Sequence, residues 1–318
     1  MRILFLLPDL PLSGTAIRTV QVVERLVSKG HEAAVVMLWP RADAGLLARL
    51  RGAKAHVSPW RALLRVEVIH AALPSAGVVA VCLAALFRRP LVYSYTNCLQ
   101  SHRPFERRSP VNMLRAAAER LLAARSDKLH AVSASVAAQV RVAFPRAASR
   151  TRGAIEPALP PRCFLVDEPP GRLRLLCAGR LVPHKRFEDA IRAVAFLREE
   201  WPQLELLILG DGPERERLSA ISRELGLVDR VQFAGAWPDA GAFFAWANLL
   251  VHPSLYEGFA RVLAEAEAAH VPVVTIDSPY GREYARRRET DVFLARPLDA
   301  HSLSLAIADA LLTAPGNR

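Results

Sequence analysis

The sequence predicts an α/β protein of two domains, each a parallel β-sheet covered by helices on both faces. Along the 318 residues, short runs rich in leucine and β-branched residues alternate with longer amphipathic stretches. This pattern is typical of buried strands joined by crossover helices. A stretch with five prolines, Pro157–Gly171, interrupts the alternation near the middle. Because proline fixes φ and lacks a backbone N–H, we interpret this stretch as a linker and predict domains at residues 1–160 and 161–318.

The first half begins with a predicted strand at Arg2–Leu7 and a predicted helix at Ala16–Lys29. Apolar residues at helical spacing support the helix, and a Gly-His step ends it. Ser133 is the expected N-cap of a later helix that reaches Phe144. The other strands predicted in this half are Ala33–Leu38, Val66–Ile69, Leu91–Tyr95 and Lys128–Val132.

The same alternation restarts after the linker. Helices are predicted at Phe187–Glu200 and Glu214–Leu225, where apolar residues recur at helical spacing. The strands predicted in this half are Leu173–Ala178, Leu204–Leu209, Val231–Ala234, Leu249–Val251, Val271–Thr275 and Val292–Leu294.

The uncharged segment Ala71–Phe87 is the most apolar part of the chain. It is 17 residues long and contains Pro74 and Gly77, so it is short for a transmembrane helix and we interpret it as part of the first domain. The four cysteines form no CxxC pair, which argues against a disulfide framework or a zinc site and favours a reducing, cytoplasmic compartment.

The net charge of +11 is unevenly distributed. Residues 1–165 carry 24 basic against 9 acidic side chains, whereas residues 166–318 carry 18 against 22. A basic first half predicts a surface for an anionic partner, such as the inner face of a membrane. The alternative is a compositional bias, because 38 of the 42 basic residues are arginine. Charge alone also suggests nucleic acid, but no nucleic-acid-binding motif is recognisable and we predict no such partner.

The most informative motif is the run from Pro253 to Ala266, which follows a predicted strand. Gly258 lies in a loop, and a helix is expected to begin just beyond it. The free N–H groups at such a helix start suit a diphosphate. Glu257 lies outside the helix, where it can accept hydrogen bonds from sugar hydroxyls. Glu265 lies inside the helix, on the same face as Arg261.

This run resembles the Glu-x7-Glu motif of the family-4 retaining glycosyltransferases of the GT-B fold. The resemblance implies that Glu257 and the amides of Phe259 and Ala260 hold the donor sugar and phosphate, while Glu265 holds the ribose. It also implies two Rossmann-like domains whose parallel sheets face a central cleft. The expected reaction transfers a hexose-type sugar from a nucleoside diphosphate sugar, with retained anomeric configuration and without an established covalent nucleophile.

Two more segments match that family in order along the chain. Gly179, Arg180 and Lys185 resemble its Gly-Arg…Lys segment, whose cations neutralise the diphosphate, and this charge is what a departing diphosphate needs. We therefore take Glu257, Arg180 and Lys185 as the catalytic candidates. Gly210 and Gly212 match the family's Gly-x-Gly-Pro turn, in which the backbone approaches the nucleoside.

Trp237 and Gly14 are weaker members of the predicted donor site. Trp237 falls where the family has a base-contacting loop and can stack on the base, although ordinary packing explains a tryptophan equally well. Gly14 follows the first strand, where the family often has Gly-Gly, and a glycine there lets the backbone approach the donor phosphate or the acceptor.

The first domain departs from the family on the acceptor side. The family commonly has a histidine after the strand Leu91–Tyr95, but this chain continues with Thr96 and Asn97. Asn97 and the nearby His102 are the acceptor-side candidates. His70 resembles the first histidine of a His-Ala-His pattern whose second member is Ala72 here. No HExxH, DxD or other metal cluster is visible in the sequence, so we predict no metal and no cofactor besides the donor substrate.

The predicted function is transfer of the sugar to a saccharide or lipid-linked acceptor, in the synthesis of cell-envelope polysaccharide or glycolipid such as lipopolysaccharide. Peripheral contact with an anionic membrane is part of this expectation. Two alternatives remain open. The first is a nucleotide-sugar epimerase. The second, motivated by the missing histidine, is an inactive nucleotide-sugar-binding partner of another transferase.

Overall fold

The computed structural model describes residues 1–11, 13–57, 65–99, 109–153, 173–237, 240–286 and 291–313. The chain divides into two compact units, Met1–Glu156 and Pro157–Arg318. The predicted linker and the predicted boundary at residue 160 lie between residues 153 and 173, outside the described residues.

The first unit has a parallel sheet of strand order β3-β2-β1-β4-β5-β6-β7. Helices α1 and α2 pack on one face of this sheet around Phe5, Val20 and Leu50. The described strands are β1 (Arg2–Leu7), β2 (Glu32–Met37), β3 (His56–Val57), β4 (Val68–Ala72), β5 (Leu91–Tyr95), β6 (Lys128–Ala131) and β7 (Thr151–Gly153). The described helices are α1 (Gly14–Ser28), α2 (Ala44–Gly52), α3 (Pro74–Phe87), α4 (Pro110–Arg125) and α5 (Ala134–Ala143), with a 3₁₀ helix at Pro145–Arg150.

Two helix starts in this unit are fixed by serine caps. Ser133 Oγ accepts a hydrogen bond from the amide of Val136 at the start of α5, as predicted. Ser13 does the same for Ala16 at the start of α1. β4 differs from the prediction, because it begins two residues later and continues through His70 to Ala72. The reason is that these residues are paired with β1 on one side and β5 on the other, so sheet pairing overrides the low strand propensity of Ala-Ala.

The second unit has a parallel sheet of strand order β10-β9-β8-β11-β12-β13. Its strands are β8 (Leu173–Ala178), β9 (Leu204–Leu209), β10 (Val231–Gly235), β11 (Leu249–His252), β12 (Val273–Ile276) and β13 (Val292–Ala295). Its helices are α6 (Phe187–Leu197), α7 (Arg215–Glu224), α8 (Gly241–Trp246), α9 (Arg261–Ala268), α10 (Pro279–Ala285) and α11 (Ala300–Thr313), with a 3₁₀ helix at Pro183–Lys185. One face of the sheet packs against α6 and α11 around Leu206, Ile191 and Ile307.

These two parallel sheets with covering helices confirm the predicted α/β class. The uncharged segment Ala71–Phe87 contains the end of β4 and the 14-residue α3. Within the described parts of the chain, every helix is too short or too polar to traverse a bilayer.

Candidate functional site

The candidate site lies in the second unit, where the direction of strand succession reverses. β8 has β9 on one side and β11 on the other, so the chain adds strands in one direction up to β10 and in the opposite direction from β11. Ligands of open parallel sheets bind at such a point. The loop after β8 carries Gly179, Arg180 and Lys185, and the loop after β11 carries Glu257 and Gly258.

Lys185 and Glu257 form an ion pair between these two loops. Lys185 Nζ lies 2.5 Å from Glu257 Oε1, and the two side chains are only 14% and 12% exposed. Gly179 lies beneath the ammonium, since a Cβ at this glycine would be 3.5 Å from Lys185 Nζ. The structure thus brings together three of the predicted residues, all at the reversal point of the sheet.

His252, the last residue of β11, is a third partner in this pair that the sequence did not predict. Its ring is fully buried, and Nε2 lies 3.1 Å from Glu257 Oε1. Its Nδ1 has no hydrogen-bond partner within the described residues. The sequence does show that His252 stands directly after a predicted strand and before the loop that carries Glu257. It does not show that the histidine side chain contacts the Glu257 carboxylate, because this contact depends on how the loop folds.

The electrostatics fix the charge states of the acid and the histidine. Burial alone would raise the pKa of Glu257, but the Lys185 ammonium and the hydrogen bond with His252 outweigh it and hold this pKa far below its usual range. Burial lowers the pKa of His252, and the hydrogen bond with Glu257 only partly compensates. At neutral pH the carboxyl is therefore ionised and the imidazole neutral, so Nε2–H donates to the carboxylate.

The two loops are tied together at two further points. The ring of His184 stacks on Tyr256 with centroids 4.4 Å apart, and the amide of Leu255 donates to the carbonyl of His184 at 2.9 Å. Tyr280 from α10 also supports the second loop by donating its hydroxyl proton to the carbonyl of Ser254. These contacts fix the position of Glu257 before any ligand arrives.

The predicted glycines 210 and 212 lie in the loop after β9, in close contact with the loop after β8. Both have positive φ, +141° and +159°, and a side chain on Gly210 would collide with the carbonyl oxygen of Gly179. The amide of Leu181 donates to the carbonyl of Asp211 at 2.9 Å. Only glycine permits this close approach of the two loops.

The start of α9 has the features expected of an anion-binding helix end. Its N-cap is Ala260, which supplies no side-chain hydrogen bond to the first amides, so these amides suit an anionic ligand. Phe259 and Ala260 are partly buried. Glu265, one turn into the helix, pairs with Arg261 at 2.8 Å, which is the predicted same-face arrangement.

Arg180 and Trp237 are exposed. Within the described residues, no ion pair or hydrogen bond involves the Arg180 guanidinium. Trp237 is 56% exposed, donates its Nε1 proton to the carbonyl of Ala234 at 2.9 Å and contacts Phe243 edge-on. Its ring therefore has free surface that a base could cover.

In the first unit, Gly14 is the first residue of α1 and is exposed. Asn97 is exposed, and its Oδ1 accepts a hydrogen bond from the amide of Cys98. His102 lies outside the described residues.

The first unit also contains a polar cluster on three neighbouring strands, which the sequence did not predict. Ser94 Oγ lies 2.8 Å from His70 Nε2 and 3.3 Å from His130 Nδ1. Burial, and then the charges of His130 and Arg18, lower the pKa of His70 to about 3. Where the structure describes the chain, no group of three His, Cys, Asp or Glu side chains is arranged as a metal site.

Comparison with known proteins identifies both halves of the chain. The family model for glycosyl transferases group 1 matches residues 166–316, and the model for glycosyltransferase family 4 matches residues 12–152. An exopolysaccharide phosphotransferase of Streptomyces coelicolor is 38% identical over 44% of this chain and 15% of its own length. The lipopolysaccharide core biosynthesis glycosyltransferase LpsE of Rhizobium meliloti is 33% identical over 41% of this chain and 37% of its own length. The chain thus spans well under half the length of these two relatives.

The fold has counterparts among solved structures. HepE of Anabaena in complex with UDP-glucose superposes with a TM-score of 0.77 at 22% identity, covering 98% of this chain and 90% of that one. The two family models together match residues 12–152 and 166–316, and the superposed structure covers 98% of the chain. The chain therefore belongs to the family-4 glycosyltransferases, the group 1 transferases with the GT-B fold.

Proposed function

We propose that the protein is a retaining glycosyltransferase that moves a hexose-type sugar from a nucleoside diphosphate sugar to a saccharide or lipid-linked acceptor. The observation that carries this proposal is the mostly buried Lys185–Glu257 pair at the reversal point of the second sheet. It offers a cation for a diphosphate and, next to it, an ionised carboxylate for sugar hydroxyls. The names of the relatives support synthesis of cell-envelope polysaccharide or glycolipid as the setting.

In the proposed reaction the bond between the anomeric carbon and the diphosphate breaks, and the leaving diphosphate gains negative charge. Lys185, Arg180 and the first amides of α9 stabilise this charge, so that catalysis proceeds without a metal. The acceptor hydroxyl attacks from the face that the diphosphate leaves, and its proton passes to the departing phosphate oxygen.

Glu257 serves to position the sugar. A carboxylate that is paired with a lysine and accepts a hydrogen bond from a buried histidine is a weak nucleophile, because its charge is already compensated. The same contacts hold it in one orientation, which suits hydrogen bonding to sugar hydroxyls.

A thermal-shift screen with nucleoside diphosphates and their sugars tests donor binding. We expect at least one to raise Tm, and replacement of Lys185 by Met to weaken its binding by about 10- to 100-fold, the value of a charge-assisted hydrogen bond. The matched control is Arg192→Gln, which removes an exposed cation of α6 and should leave binding unchanged. If none of the compounds stabilises the protein, the proposal is wrong.

Turnover is tested on an acceptor panel by following release of the nucleoside diphosphate. Proton NMR of the product should give the same anomeric configuration as in the donor. Conversion of the donor sugar without any acceptor would instead identify an epimerase. Binding without turnover across the panel would favour an inactive binding partner, an alternative supported by Asn97 where the family commonly has a histidine.

A further inference from the structure

Helix α4 of the first unit exposes an apolar face. Its buried residues lie on one side, and the residues on the opposite side follow one another at intervals of four, three and four positions, which places them in one outward stripe. Leu114 is 72% exposed, and Met113 beside the stripe is 70% exposed. The outward stripe consists of Pro110, Leu114, Ala117 and Leu121.

Helix α4 differs from an ordinary surface helix, because it buries two polar side chains and exposes several apolar ones. Two of its few polar side chains, Asn112 and Glu119, point inward and are only 7% exposed. A surface helix of a globular protein normally buries apolar residues and exposes polar ones. Exposed apolar residues in a row, rather than singly, mark a contact surface.

The neighbouring helix α3 extends this surface. The two helices touch where Gly77 of α3 faces Leu122 of α4, and a Cβ at this glycine would collide with the leucine side chain. None of the 14 residues of α3 is charged. Its last turn exposes Leu86, which is 73% exposed, so apolar side chains are exposed on both helices.

The exposed charges carried by α3, by α4 and by the two residues that follow α3 are all positive. The only acidic residue of α3 and α4 is Glu119, which is buried. The exposed basic side chains that follow α3 or lie on α4 are Arg88, Arg89, Arg115, Arg120 and Arg125. Arg120 and Arg125 flank the outward stripe, since they lie on opposite sides of it around the helix.

We propose that this α3–α4 face binds an anionic lipid bilayer, with α4 lying in the plane of the interface. Apolar side chains would enter the boundary between headgroups and acyl chains, while the flanking arginines extend to lipid phosphates. A protein partner or a second copy of this chain would also cover apolar side chains. A lipid surface fits better because arginines on both sides of an apolar stripe, with no exposed acid on α3 or α4, match a continuous anionic plane.

The inference deepens the proposed function, since it names the surface by which the enzyme would reach a lipid-linked acceptor. The binding measurement that tests it uses neither donor nor acceptor, so its outcome is independent of sugar transfer.

The experiment is co-sedimentation of the full chain with vesicles of phosphatidylcholine alone or mixed with phosphatidylglycerol. We expect binding to the mixed vesicles that decreases with salt. Replacement of Leu114 by Asp should weaken it by about tenfold or more, because a charge enters the apolar stripe. Replacement of Arg120 by Glu should weaken binding to the mixed vesicles and leave any binding to pure phosphatidylcholine unchanged.

The matched control is Val142→Asp on α5 of the same unit, where the valine is 78% exposed. It should bind vesicles like the unchanged protein. Thermal melting and the Tm shift with nucleoside diphosphates should be the same for both aspartate variants, which separates loss of lipid binding from unfolding. Three results would overturn the proposal: no binding to mixed vesicles, equal losses for the two aspartate variants, or a dimer in sedimentation velocity that Leu114→Asp dissolves.

Discussion

Lys185 and Glu257 are 72 residues apart in the sequence, yet their charged atoms lie 2.5 Å from each other. The fold causes this proximity, because β8 and β11 are adjacent while β9 and β10 continue to the other side of β8. The pair joins the segment that would neutralise a diphosphate to the segment that would hold a sugar. The two binding functions of the site therefore share one preformed contact.

The first prediction concerns Glu257→Gln. We expect turnover to fall by about 10²- to 10³-fold, because the charged acceptor for sugar hydroxyls is lost, while the affinity for the nucleoside diphosphate changes little. The free energy of unfolding should fall by roughly 3 kcal/mol, since Lys185 keeps its charge in a mostly buried place without its partner. Initial rates, calorimetric titration and urea denaturation measure these effects.

The control for this variant is Asp277→Asn. Asp277 pairs with Arg282, but these side chains are 46% and 51% exposed, so the loss should stay below about 1 kcal/mol. Equal losses of unfolding free energy for the two substitutions would show that the Lys185–Glu257 pair contributes no more to stability than an exposed ion pair does.

The second prediction is that Gly210→Ala prevents the site from forming. An alanine Cβ would overlap the carbonyl of Gly179, at a φ of +141° that other residues rarely adopt. We expect a loss of at least about 3 kcal/mol of unfolding free energy, as for other severe steric changes, with loss of nucleoside diphosphate binding.

Gly226→Ala is the comparison for this glycine. Gly226 also has positive φ, +67°, but nothing lies within 4 Å of its missing Cβ. Backbone strain alone should cost about 1 kcal/mol there, with ligand binding intact. If both alanine variants melt alike, steric contact at Gly210 is not the cause.

The parts of the fold that were predicted correctly from the sequence are those specified by local pattern. β1, β5, β8 and β9 have the predicted bounds, because runs of leucine and β-branched residues coincide with buried, paired strands. The N-cap at Ser133 was also predicted correctly, because its hydrogen bond is made within the first turn of the same helix. The pairing of Arg261 with Glu265 follows from helical spacing in the same way.

The contacts that organise the site could not be predicted, because they depend on which strands become neighbours. His252 meets Glu257 only because the loop after β11 folds back over the end of its own strand. The stacking of His184 on Tyr256 needs β8 beside β11. The apolar outward face of α4 was missed for a different reason: its composition resembles a buried helix until the burial of each residue is known.

The third prediction tests Trp237 as the platform for the base. Replacement by Ala should weaken nucleoside diphosphate binding by about 1–3 kcal/mol, the value of stacking between a base and an aromatic ring. The melting temperature should change little, since the ring is 56% exposed. Trp39→Ala, which removes a similarly exposed tryptophan of the first unit, should leave binding unchanged. Calorimetric titration distinguishes the two, and unaltered binding by the Trp237 variant would assign its ring to packing against Phe243.

The fourth prediction concerns acid stability and His70. The pKa of His70 in the folded protein is about 3, whereas an unfolded histidine titrates near 6.5. Between these values the unfolded chain binds the extra proton, so the free energy of unfolding falls as pH falls. His70 contributes at most about 1.4 kcal/mol per pH unit to this fall.

Urea denaturation between pH 7 and pH 5 should therefore show a shallower decline in unfolding free energy for His70→Gln than for the unchanged protein. His56→Gln, at an exposed position of the same unit, should retain the original slope.

The last prediction assigns His252 as a positioning residue that acts through Glu257. His252→Leu removes the donor to the carboxylate, whereas His252→Gln keeps an N–H within reach. We expect kcat to fall by about tenfold in the leucine variant, the worth of one hydrogen bond to a charged group, and to recover partly in the glutamine variant. KM for the donor should change little, because Lys185 and the amides of α9 still face the diphosphate.

A double-mutant cycle separates this role from general packing. If His252 acts through the carboxylate, then His252→Leu should lower kcat no further when Glu257 is already Gln, because the two losses are not independent. Additive losses in the double variant would mean that the buried ring serves the packing around Tyr280 instead, which lies edge-on to it at 6.0 Å.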